Sequence, residues 1–408
     1  MSRQSENEAA AGSVPAPERS SLRELAAFFL RLGTTAFGGP AGHIAMMEDE
    51  LVRRRKWLSR EKFLDLLGAS NLIPGPSSSE LAIHIGYLRG GWAGLLIAGV
   101  CFILPAAFMV CALAWAYVRF GKLPATSALL YGVKPVVIAV ILQALWGLGR
   151  TALKTRFLVV VGVVSVALAA LGLHPLLLLV IAGASAVLAD QIVRAMRSGR
   201  AASLSPLAAL RSLARSSAPL ASASGAAAIA APFSLGGLFL VFLKIGAVVF
   251  GSGYVLLAFL RADLVAHRGW LTDSQLVDAV AIGQVTPGPV FTTATFVGYL
   301  LGGVRGALVA TIGIFLPAFL LVAASGPLVP RIRQSKAAGA FLDGVIVASL
   351  ALMAVVTWQL ARASITDAVT ILIAVASLVA LLRFRVNSAW LVLLGAIVGL
   401  FTRGLYGH

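Results

Sequence analysis

The length of its apolar segments is the feature that most limits what this chain can fold into. From about residue 90 to 190 only six basic residues interrupt an apolar run, and a comparable run covers 303–402. Windows of about 20 apolar residues can cross a hydrocarbon core of about 30 Å. Only 12% of the 408 residues are charged, against about 25% in a soluble domain. The sequence therefore predicts an all-α polytopic membrane protein.

A long internal repeat divides the apolar chain into two copies. Short motifs recur at an offset of 213 residues, which becomes 212 after one deletion. The matching motifs include Phe29-Leu-Arg-Leu-Gly33 with Phe242-Leu-Lys-Ile-Gly246, Pro74-Gly75-Pro76 with Pro287-Gly288-Pro289, and Leu104-Pro105-Ala106 with Leu316-Pro317-Ala318. We therefore predict two homologous membrane repeats, at 22–190 and 233–403.

Polar segments flank and separate the two repeats. Residues 1–21 are small and polar without an apolar core, which favours a disordered N-terminal tail over a signal peptide. Residues 191–232 carry five arginines among many Ala and Ser, so a basic linker is expected there, on the cytoplasmic side. Residues 404–408 are expected to form a short C-terminal tail.

Both repeats show the same predicted order of helices. A first helix, at about 22–37 or 235–250, precedes a Gly-rich break and an amphipathic stretch. Two pieces too short to span a membrane then flank Pro-Gly-Pro, and about four longer apolar helices follow. Proline removes backbone donors and glycine permits a sharp turn, so the helix must break there. Irregular backbone at membrane depth must be buried in protein or line a cavity, so each repeat is predicted to contain broken or re-entrant half-helices.

The distribution of basic residues predicts membrane topology. The chain has 33 Lys and Arg against 16 Asp and Glu, and the bases lie mainly at the ends of apolar segments, so nucleic acid is not an expected partner. In the first repeat bases cluster at 150–156 and the loop 172–175 has none, whereas in the second repeat the later loop carries Arg383 and Arg385. Equivalent loops are therefore expected on opposite sides of the membrane, as in inverted-topology repeats.

The Pro-Gly-Pro turns are the predicted substrate site. Hydroxyl residues follow each turn at the start of a helix, where about half a positive charge and unpaired N–H groups suit a tetrahedral oxyanion. Arg31 and Lys244 occupy the same repeat position inside apolar helices, and an intramembrane base is a functional candidate by default. The predicted substrate-binding residues are Arg31, Gly38, Gly39, Asn71, Pro74, Gly75, Pro76, Ser77, Ser78, Ser79, Lys244, Gly251, Ser252, Thr286, Pro287, Gly288, Pro289, Thr292 and Thr293.

Each of these features also has a structural interpretation. Pro-Gly-Pro could form a tight loop at the membrane surface, and the glycine breaks could serve close helix packing. A long basic side chain could snorkel to the interface from a helix end. Four acidic residues, Glu48, Glu50, Asp65 and Asp278, are expected to form structural ion pairs with the bases Arg53, Arg54, Arg55, Lys56 and Lys62.

Three ionisable residues near the breaks are candidates for proton coupling. His43, Glu80 and His84 have no titratable counterparts in the second repeat. Histidine or a buried glutamate can change charge near neutral pH. The alternative for each is a hydrogen bond to the backbone. Neither a metal site nor a cofactor is predicted.

At these motifs the chain resembles the chromate ion transporter family in its long-chain, two-domain form. The motifs that carry the resemblance are Phe37-Gly-Gly-Pro-Ala-Gly-His43, Asn71-Leu-Ile-Pro-Gly-Pro76, Glu80-Leu-Ala-Ile-His-Ile-Gly86 and Phe102-Ile-Leu-Pro105. The resemblance extends over about residues 22 to 402, with a weaker second copy. That copy lacks the counterpart of His43 and the Gly-Gly-Pro run, which favours one asymmetric site over two equivalent ones.

The resemblance implies a function. Members export chromate by secondary transport driven by the proton motive force, with sulfate as the structural mimic, and confer chromate resistance. The implied partners are a chromate or sulfate oxyanion and membrane lipid, a homodimer is also possible, and the implied location is the bacterial inner membrane. The alternatives are a sulfate or other oxyanion importer and a non-transporting membrane scaffold or sensor, whose breaks would be only structural.

The charge pattern makes a direct prediction about topology. Single cysteines at Leu173 and at Arg383, introduced after Cys101 and Cys111 are replaced, should be labelled by an impermeant thiol reagent from opposite sides of the membrane. The linker 191–232 should share the side of Arg383. Labelling of both sites from the same side would contradict the inverted arrangement.

Overall fold

The structure is a computed structural model that describes residues 21–37, 39–121, 123–197, 232–250, 253, 255–384 and 386–406. All elements in these residues are helical. The first repeat contains α1 (Leu22–Thr35), α2 (Gly39–Glu48, extended by a π-helical turn Asp49–Arg54), α3 (Arg60–Ser70), α4 (Ser77–Phe120), α5 (Pro124–Ala152), α6 (Arg156–Ala170) and α7 (Pro175–Arg197). The predicted all-α architecture is confirmed.

The second repeat follows the same order. It contains α8 (Leu235–Val248), α9 (Leu256–Leu260, extended by a π-helical turn Arg261–His267), α10 (Asp273–Val285), a 3-10 turn (Val290–Thr292), α11 (Thr293–Gln334), α12 (Lys336–Ser364), α13 (Ala368–Phe384) and α14 (Ser388–Tyr406). Helix α7 continues seven residues into the predicted linker, from 191 to 197, and α14 continues to Tyr406. The rest of the linker, the residues 1–20 of the predicted tail and the last two residues lie outside the described part of the chain.

Both first helices begin at a serine cap and end at an extended residue. Ser21 accepts a hydrogen bond from the N–H of Glu24, whose carboxylate accepts one from the N–H of Ser21. This reciprocal capping box satisfies donors that have no partner within the helix. The helices end before Ala36 and Val249, which adopt extended backbone. The chain thus leaves helical geometry at the same repeat position in both halves.

Helices α4 and α11 each reverse direction at a glycine. Gly91 and Gly303 have φ of 58° and 59°, a left-handed conformation that glycine adopts without steric cost. Beyond each reversal the two arms lie against each other, with Gly86 packed on the backbone of Gly94. The result is a hairpin with a short arm, 77–90, and a long arm, 92–120. The predicted short pieces flanking Pro-Gly-Pro are therefore present.

The two repeats interlock by exchanging their last helices. Helix α14 packs on α5, where Gly132 lies so close to Gly395 and Gly399 that a Cβ would overlap their backbone. Helix α7 packs on α12, where Gly344 meets the carbonyl of Ala182 in the same way. Gly132 and Gly344 are repeat equivalents. The exchange makes the two repeats one structural body.

Helices α5 and α12, which are repeat equivalents, run antiparallel where they are in contact. Just beyond the end of α5, Lys154 Nζ lies 2.8 Å from Asp343 Oδ1 on α12, while Gly149, five residues earlier, faces Leu350, seven residues later. The long arms of α4 and α11 are also in contact, with Gly99 lying beneath the ring of Phe319.

Five of the described helices are long and apolar enough to cross a membrane. They are Ser77–Phe120, Pro124–Ala152, Pro175–Met196, Val290–Ser325 and Lys336–Ser364. Large apolar side chains such as Phe108, Val163 and Leu372 are exposed on the outer surface of the bundle. A surface of this kind requires lipid as its solvent, so the protein is a multi-pass membrane protein.

The close approach at Gly132 predicts a steric effect with an internal control. Gly132→Ala places a Cβ into the backbone of α14 and should destabilise the fold, by about 1–3 kcal/mol for overpacking. Gly147→Ala, on the same helix but with open space around it, should leave stability unchanged or raise it by about 0.5–1 kcal/mol through helix propensity. The melting temperatures of the two variants in detergent measure the difference. Equal values would contradict the exchanged packing.

Candidate functional site

The two Pro-Gly-Pro turns each bond to the end of the other repeat's first helix. The N–H of Gly75 donates to the carbonyl of Val249 at 2.7 Å, and the N–H of Gly288 donates to the carbonyl of Ala36 at 3.0 Å. These carbonyls lie at the ends of α8 and α1, where they have no helical partner. The breaks of both repeats therefore meet at one place between them.

Only glycine fits at the centre of either turn. Gly75 has φ of 138° and Gly288 has φ of 98°, both unfavourable for other residues. A Cβ on Gly75 would collide with the carboxylate of Glu80, and one on Gly288 would lie 2.6 Å from the Cβ of Ala106. The turns are thus sterically sealed around their glycines.

The two turns differ in accessibility. In the first turn Asn71 is exposed, and Pro74 and Ser77 are partly exposed. In the second turn Thr286, Pro287, Gly288, Pro289 and Val290 are all buried. The repeat counterpart of the hydroxyl residue Ser77 is the apolar Val290. The first turn is therefore partly exposed at the protein surface, whereas the second turn is closed by packing.

Most threonine hydroxyls at the second turn are occupied by backbone acceptors. Thr286 Oγ1 donates to the carbonyl of Ile282 at 2.5 Å. Thr292 and Thr293 donate to residues of their own turn, at 2.7 and 2.8 Å. A hydroxyl has one proton to donate, so these three side chains have none left for an anion.

His43 joins the first break to the first turn. Its Nε2 lies 3.1 Å from the carbonyl of Ala36 and its Nδ1 lies 3.2 Å from Ser78 Oγ. Because a carbonyl can only accept, Nε2 carries the proton and Nδ1 accepts from the serine hydroxyl. The ring is fully buried and packs edge-on against Phe102. His43 therefore ties together the same carbonyl that Gly288 binds and the helix start after Pro76.

Glu80, His84 and Ser79 are buried on the short arm of α4. Both carboxylate oxygens of Glu80, Nε2 of His84 and Oγ of Ser79 have no hydrogen-bond partner among the described residues. Burying an ionised carboxylate without partners costs several kcal/mol, so this site accommodates the neutral acid. Glu80 also lies directly on Gly75, which places a proton-binding group against the turn itself.

The two predicted basic residues lie in recesses that the turns do not line. Arg31 is exposed in a recess of about 410 Å³ that also contains Asp49, Glu50 and Arg54. Lys244 lines a separate recess of about 330 Å³, where its Nζ lies 2.5 Å from Asp263 Oδ1. The structure therefore brings together the turns and His43, Ser79, Glu80 and His84, but it does not add either base to them.

The remaining predicted residues belong to the glycine breaks of the two repeats. Gly39 begins α2 with φ of 68°. Gly38, Gly251 and Ser252 lie outside the described residues. The predicted ion pairs of Glu50 with Arg54 and Arg55 are confirmed, with Arg55 Nε 2.8 Å from Glu50 Oε1.

The predicted partners of Asp278 were wrong. Its carboxylate accepts a hydrogen bond from Tyr117 at 2.9 Å and lies 3.2 Å from Lys134 Nζ. These partners come from the long arm of α4 and from α5, so this buried cluster joins both repeats. Sequence reasoning missed it although Lys134 lies within an apolar helix, which is itself a signal of function.

Comparison with known proteins identifies the family. A family model described as "Chromate transporter" matches residues 23–188 and 236–400, which fall within the two repeats. The chain belongs to the chromate transporter family. It is 35% identical over 402 residues, 98% of each chain, to the "Chromate transport protein" of Cupriavidus metallidurans. It is 34% identical over 400 residues, 97% of this chain and 93% of the other, to the protein of the same description in Pseudomonas aeruginosa.

One relative corresponds to a single copy of the repeat. The "Uncharacterized transporter YwrA" of Bacillus subtilis is 31% identical over 160 residues, which are 38% of this chain and 89% of that protein. No solved structure matches the chain significantly. The family match agrees with the resemblance found in the sequence motifs, and it extends over both repeats.

The contacts of His43 predict a structural effect of its removal. His43→Leu copies the second repeat, which has Leu256 at this position, and should lower stability by about 1–3 kcal/mol because Ala36 and Ser78 each lose a buried partner. His43→Gln, which retains a donor and an acceptor, should recover most of the loss. Melting temperatures in detergent test both variants. If His43→Leu melted like the wild type but lost pH-driven transport, His43 would instead be assigned to proton movement.

Proposed function

We propose that the protein is a secondary active transporter that exports chromate across the bacterial inner membrane, with sulfate as a mimic, and so confers chromate resistance. Membership of the chromate transporter family supports the substrate class, as do the names of relatives that match nearly the whole chain. The observation that carries the mechanism is the reciprocal bonding of the two Pro-Gly-Pro turns to the opposite first helices. It brings each Pro-Gly-Pro turn against the end of the opposite first helix, and transporters built from repeats with broken helices bind substrate at such places.

The first turn is the proposed substrate site. Asn71 and Ser77 are accessible there. At the start of α4 the N–H groups of Ser79 and Glu80 donate to the carbonyl of Pro76, which leaves those of Ser77 and Ser78 for an anion. A divalent oxyanion loses hydration on entering the protein, and donors at a helix start can replace that water without an opposite charge that would hold the ion permanently. The second turn supports this site mechanically, because its hydroxyls are bonded internally and its residues are buried.

Arg31 is proposed to draw the anion towards the site. Among the described residues it makes no ion pair, because Glu50 is bonded to Arg55 and Asp49 to Arg54. Its guanidinium therefore keeps its charge and fork-shaped donors available in an open recess. An exposed cation of this kind raises the local concentration of an anionic substrate.

Protons are proposed to drive export through the short arm of α4. Glu80 has no partner for either carboxylate oxygen among the described residues and lies on Gly75. Ionisation would place an uncompensated charge against the turn, so loss of the proton should favour a rearrangement of the turn. His84 lies one helical turn further along the same arm and is the proposed next proton acceptor.

The two repeats are proposed to cross the membrane with opposite orientation. The antiparallel contact of α5 with α12 supports this arrangement, since these helices are repeat equivalents. The short basic loops support it independently through their charge. Repeats of opposite orientation would let the protein open towards one side of the membrane and then towards the other.

Flux measurements on purified protein in liposomes test the proposal. With an acidic lumen, chromate should accumulate inside as protons leave, and external sulfate should compete. Arg31→Gln should slow uptake roughly tenfold, since electrostatic steering can raise the association rate of a charged ligand by about 10- to 1000-fold.

Arg53→Gln is the matched control, because Arg53 lies on the same π-helical turn as Arg54 but does not line the recess. It should transport at nearly the wild-type rate. Absence of any chromate or sulfate flux in the wild type would favour the scaffold or sensor. Flux of both anions towards the alkaline side only would favour an importer.

A further inference from the structure

A groove on the outer surface of the helical bundle combines an apolar lining with a basic end. It has a volume of about 640 Å³ and lies between α5 and α6 of the first repeat and α12 of the second. All of its described lining residues are apolar except Arg150. None of them belongs to the Pro-Gly-Pro turns or to the recesses around Arg31 and Lys244. The groove is therefore separate from the proposed substrate site.

Each of the three helices turns one regular face to the groove. The lining residues of α5 lie at 142, 145, 146, 149 and 150, those of α6 at 159, 162, 163 and 166, and those of α12 at 347, 350, 351 and 354. Steps of three and four residues mark one side of an α-helix, so the groove runs along the helices. Its length along α5 is about 12 Å, because Leu142 and Arg150 lie eight residues apart at about 1.5 Å per residue.

Two glycines deepen the groove. Gly149 on α5 and Gly162 on α6 both line it and carry no side chain to fill it. A Cβ on Gly149 would lie 3.6 Å from the side chain of Leu350, an ordinary contact distance. A larger side chain at this position would therefore extend into the groove without a clash at its base. The equivalents of the two glycines in the second repeat are Ala361 and Ala374.

Bases surround the end of the groove at which α5 ends and α6 begins. Arg150 lies in the last turn of α5, lines the groove and is exposed. Arg156 is the first residue of α6 and is also exposed. Neither arginine makes a hydrogen bond or ion pair with another described residue, whereas Lys154 between them pairs with Asp343. This end of the groove therefore carries two positive charges that no described carboxylate balances.

The second repeat has a different set of residues at the equivalent place. Arg362 corresponds to Arg150, but the other two bases are replaced by Thr366 and Ala368, with the acid Asp367 between them. The two glycines that deepen the groove are also replaced there. The repeated fold therefore requires neither the depth of the groove nor its excess of positive charge, and both features indicate a ligand at the first repeat.

We propose that the groove binds a phospholipid with an anionic head group. One acyl chain lies along the apolar lining, and the phosphate lies at Arg150 and Arg156. The length fits, because about 12 Å is close to half of a hydrocarbon core of about 30 Å, which is the depth of one leaflet. The charge fits as well, because a guanidinium donates to phosphate oxygens in a bidentate manner. Basic pockets between membrane helices are suited to anionic lipid head groups in the same way.

A lipid in this groove contacts both repeats. Helices α5 and α6 belong to the first repeat and α12 to the second, and α5 and α12 are the repeat equivalents that meet in antiparallel orientation. The lipid therefore fills the space beside a contact between the two halves. The inference requires only that the protein lies in a membrane, so it does not depend on the proposed transport of chromate.

Native mass spectrometry of the purified full chain in detergent, with phosphatidylglycerol or phosphatidylcholine added, tests the site. The wild type should retain one phosphatidylglycerol at least about fivefold more tightly than phosphatidylcholine, as expected from one or more bases near an anionic head group. Arg150→Gln should lose this preference. Arg362→Gln is the matched control, because it removes an exposed arginine from the same repeat position but does not line the groove. It should retain phosphatidylglycerol like the wild type.

Two further measurements test the acyl-chain part of the site. Phosphatidylglycerol should raise the melting temperature of the wild type more than phosphatidylcholine does, because a ligand stabilises the folded state that binds it. Gly149→Leu fills the groove and should weaken retention of phosphatidylglycerol, whereas Gly147→Leu, which has open space and does not line the groove, should not.

Three results would overturn the proposal. The first is equal retention of the two lipids by the wild type. The second is a preference for phosphatidylglycerol that survives both Arg150→Gln and Gly149→Leu. The third is a dimer that Gly149→Leu dissociates while lipid retention stays unchanged, which would assign the groove to a second copy of the chain.

Discussion

Inside a membrane the backbone groups at a helix break need hydrogen-bond partners, and this requirement governs the structure. An unpaired carbonyl or N–H costs several kcal/mol in hydrocarbon, so a helix can end at membrane depth only where other groups form hydrogen bonds with its terminal backbone groups. Here α1 and α8 end at carbonyls that accept hydrogen bonds from the glycines of the opposite Pro-Gly-Pro turns. Neither repeat can therefore complete its own core. The last helices are exchanged in the same reciprocal way, because the last helix of each repeat packs on the other repeat at Gly132 or Gly344.

Within this symmetric frame the two halves have diverged in their polar groups. The first turn has an accessible hydroxyl at Ser77 and a buried histidine bridge, whereas the second has Val290 and internally bonded threonines. The recesses around Arg31 and Lys244 also differ. Lys244 forms an ion pair with Asp263, whereas Arg31 forms none among the described residues. A symmetric scaffold that carries asymmetric chemistry suits a transporter, because alternate opening needs two similar halves whereas one substrate needs one site.

Sequence patterns predicted the helical repeats and their breaks because these depend on local rules. Apolar length, the constant offset and the conformational limits of Pro-Gly-Pro require no tertiary information. The partners could not be predicted, since the acceptor of Gly75 is Val249, far away in the chain, and Lys134 meets Asp278 only after the repeats interlock. The engagement of Thr286, Thr292 and Thr293 with nearby carbonyls was foreseeable, because threonine near a helix often bonds to the preceding turn.

We propose that the accessible first turn binds the oxyanion and that the sealed second turn does not. Equilibrium sulfate binding to two variants distinguishes the turns. Ser77→Val copies the second turn and should weaken binding by about 0.5–1.5 kcal/mol or more, through loss of a hydroxyl and crowding of the helix start. Thr292→Val, which removes a hydroxyl already bonded to Pro289, should leave the affinity unchanged. Weaker binding by Thr292→Val with wild-type affinity in Ser77→Val would instead place the anion at the second turn.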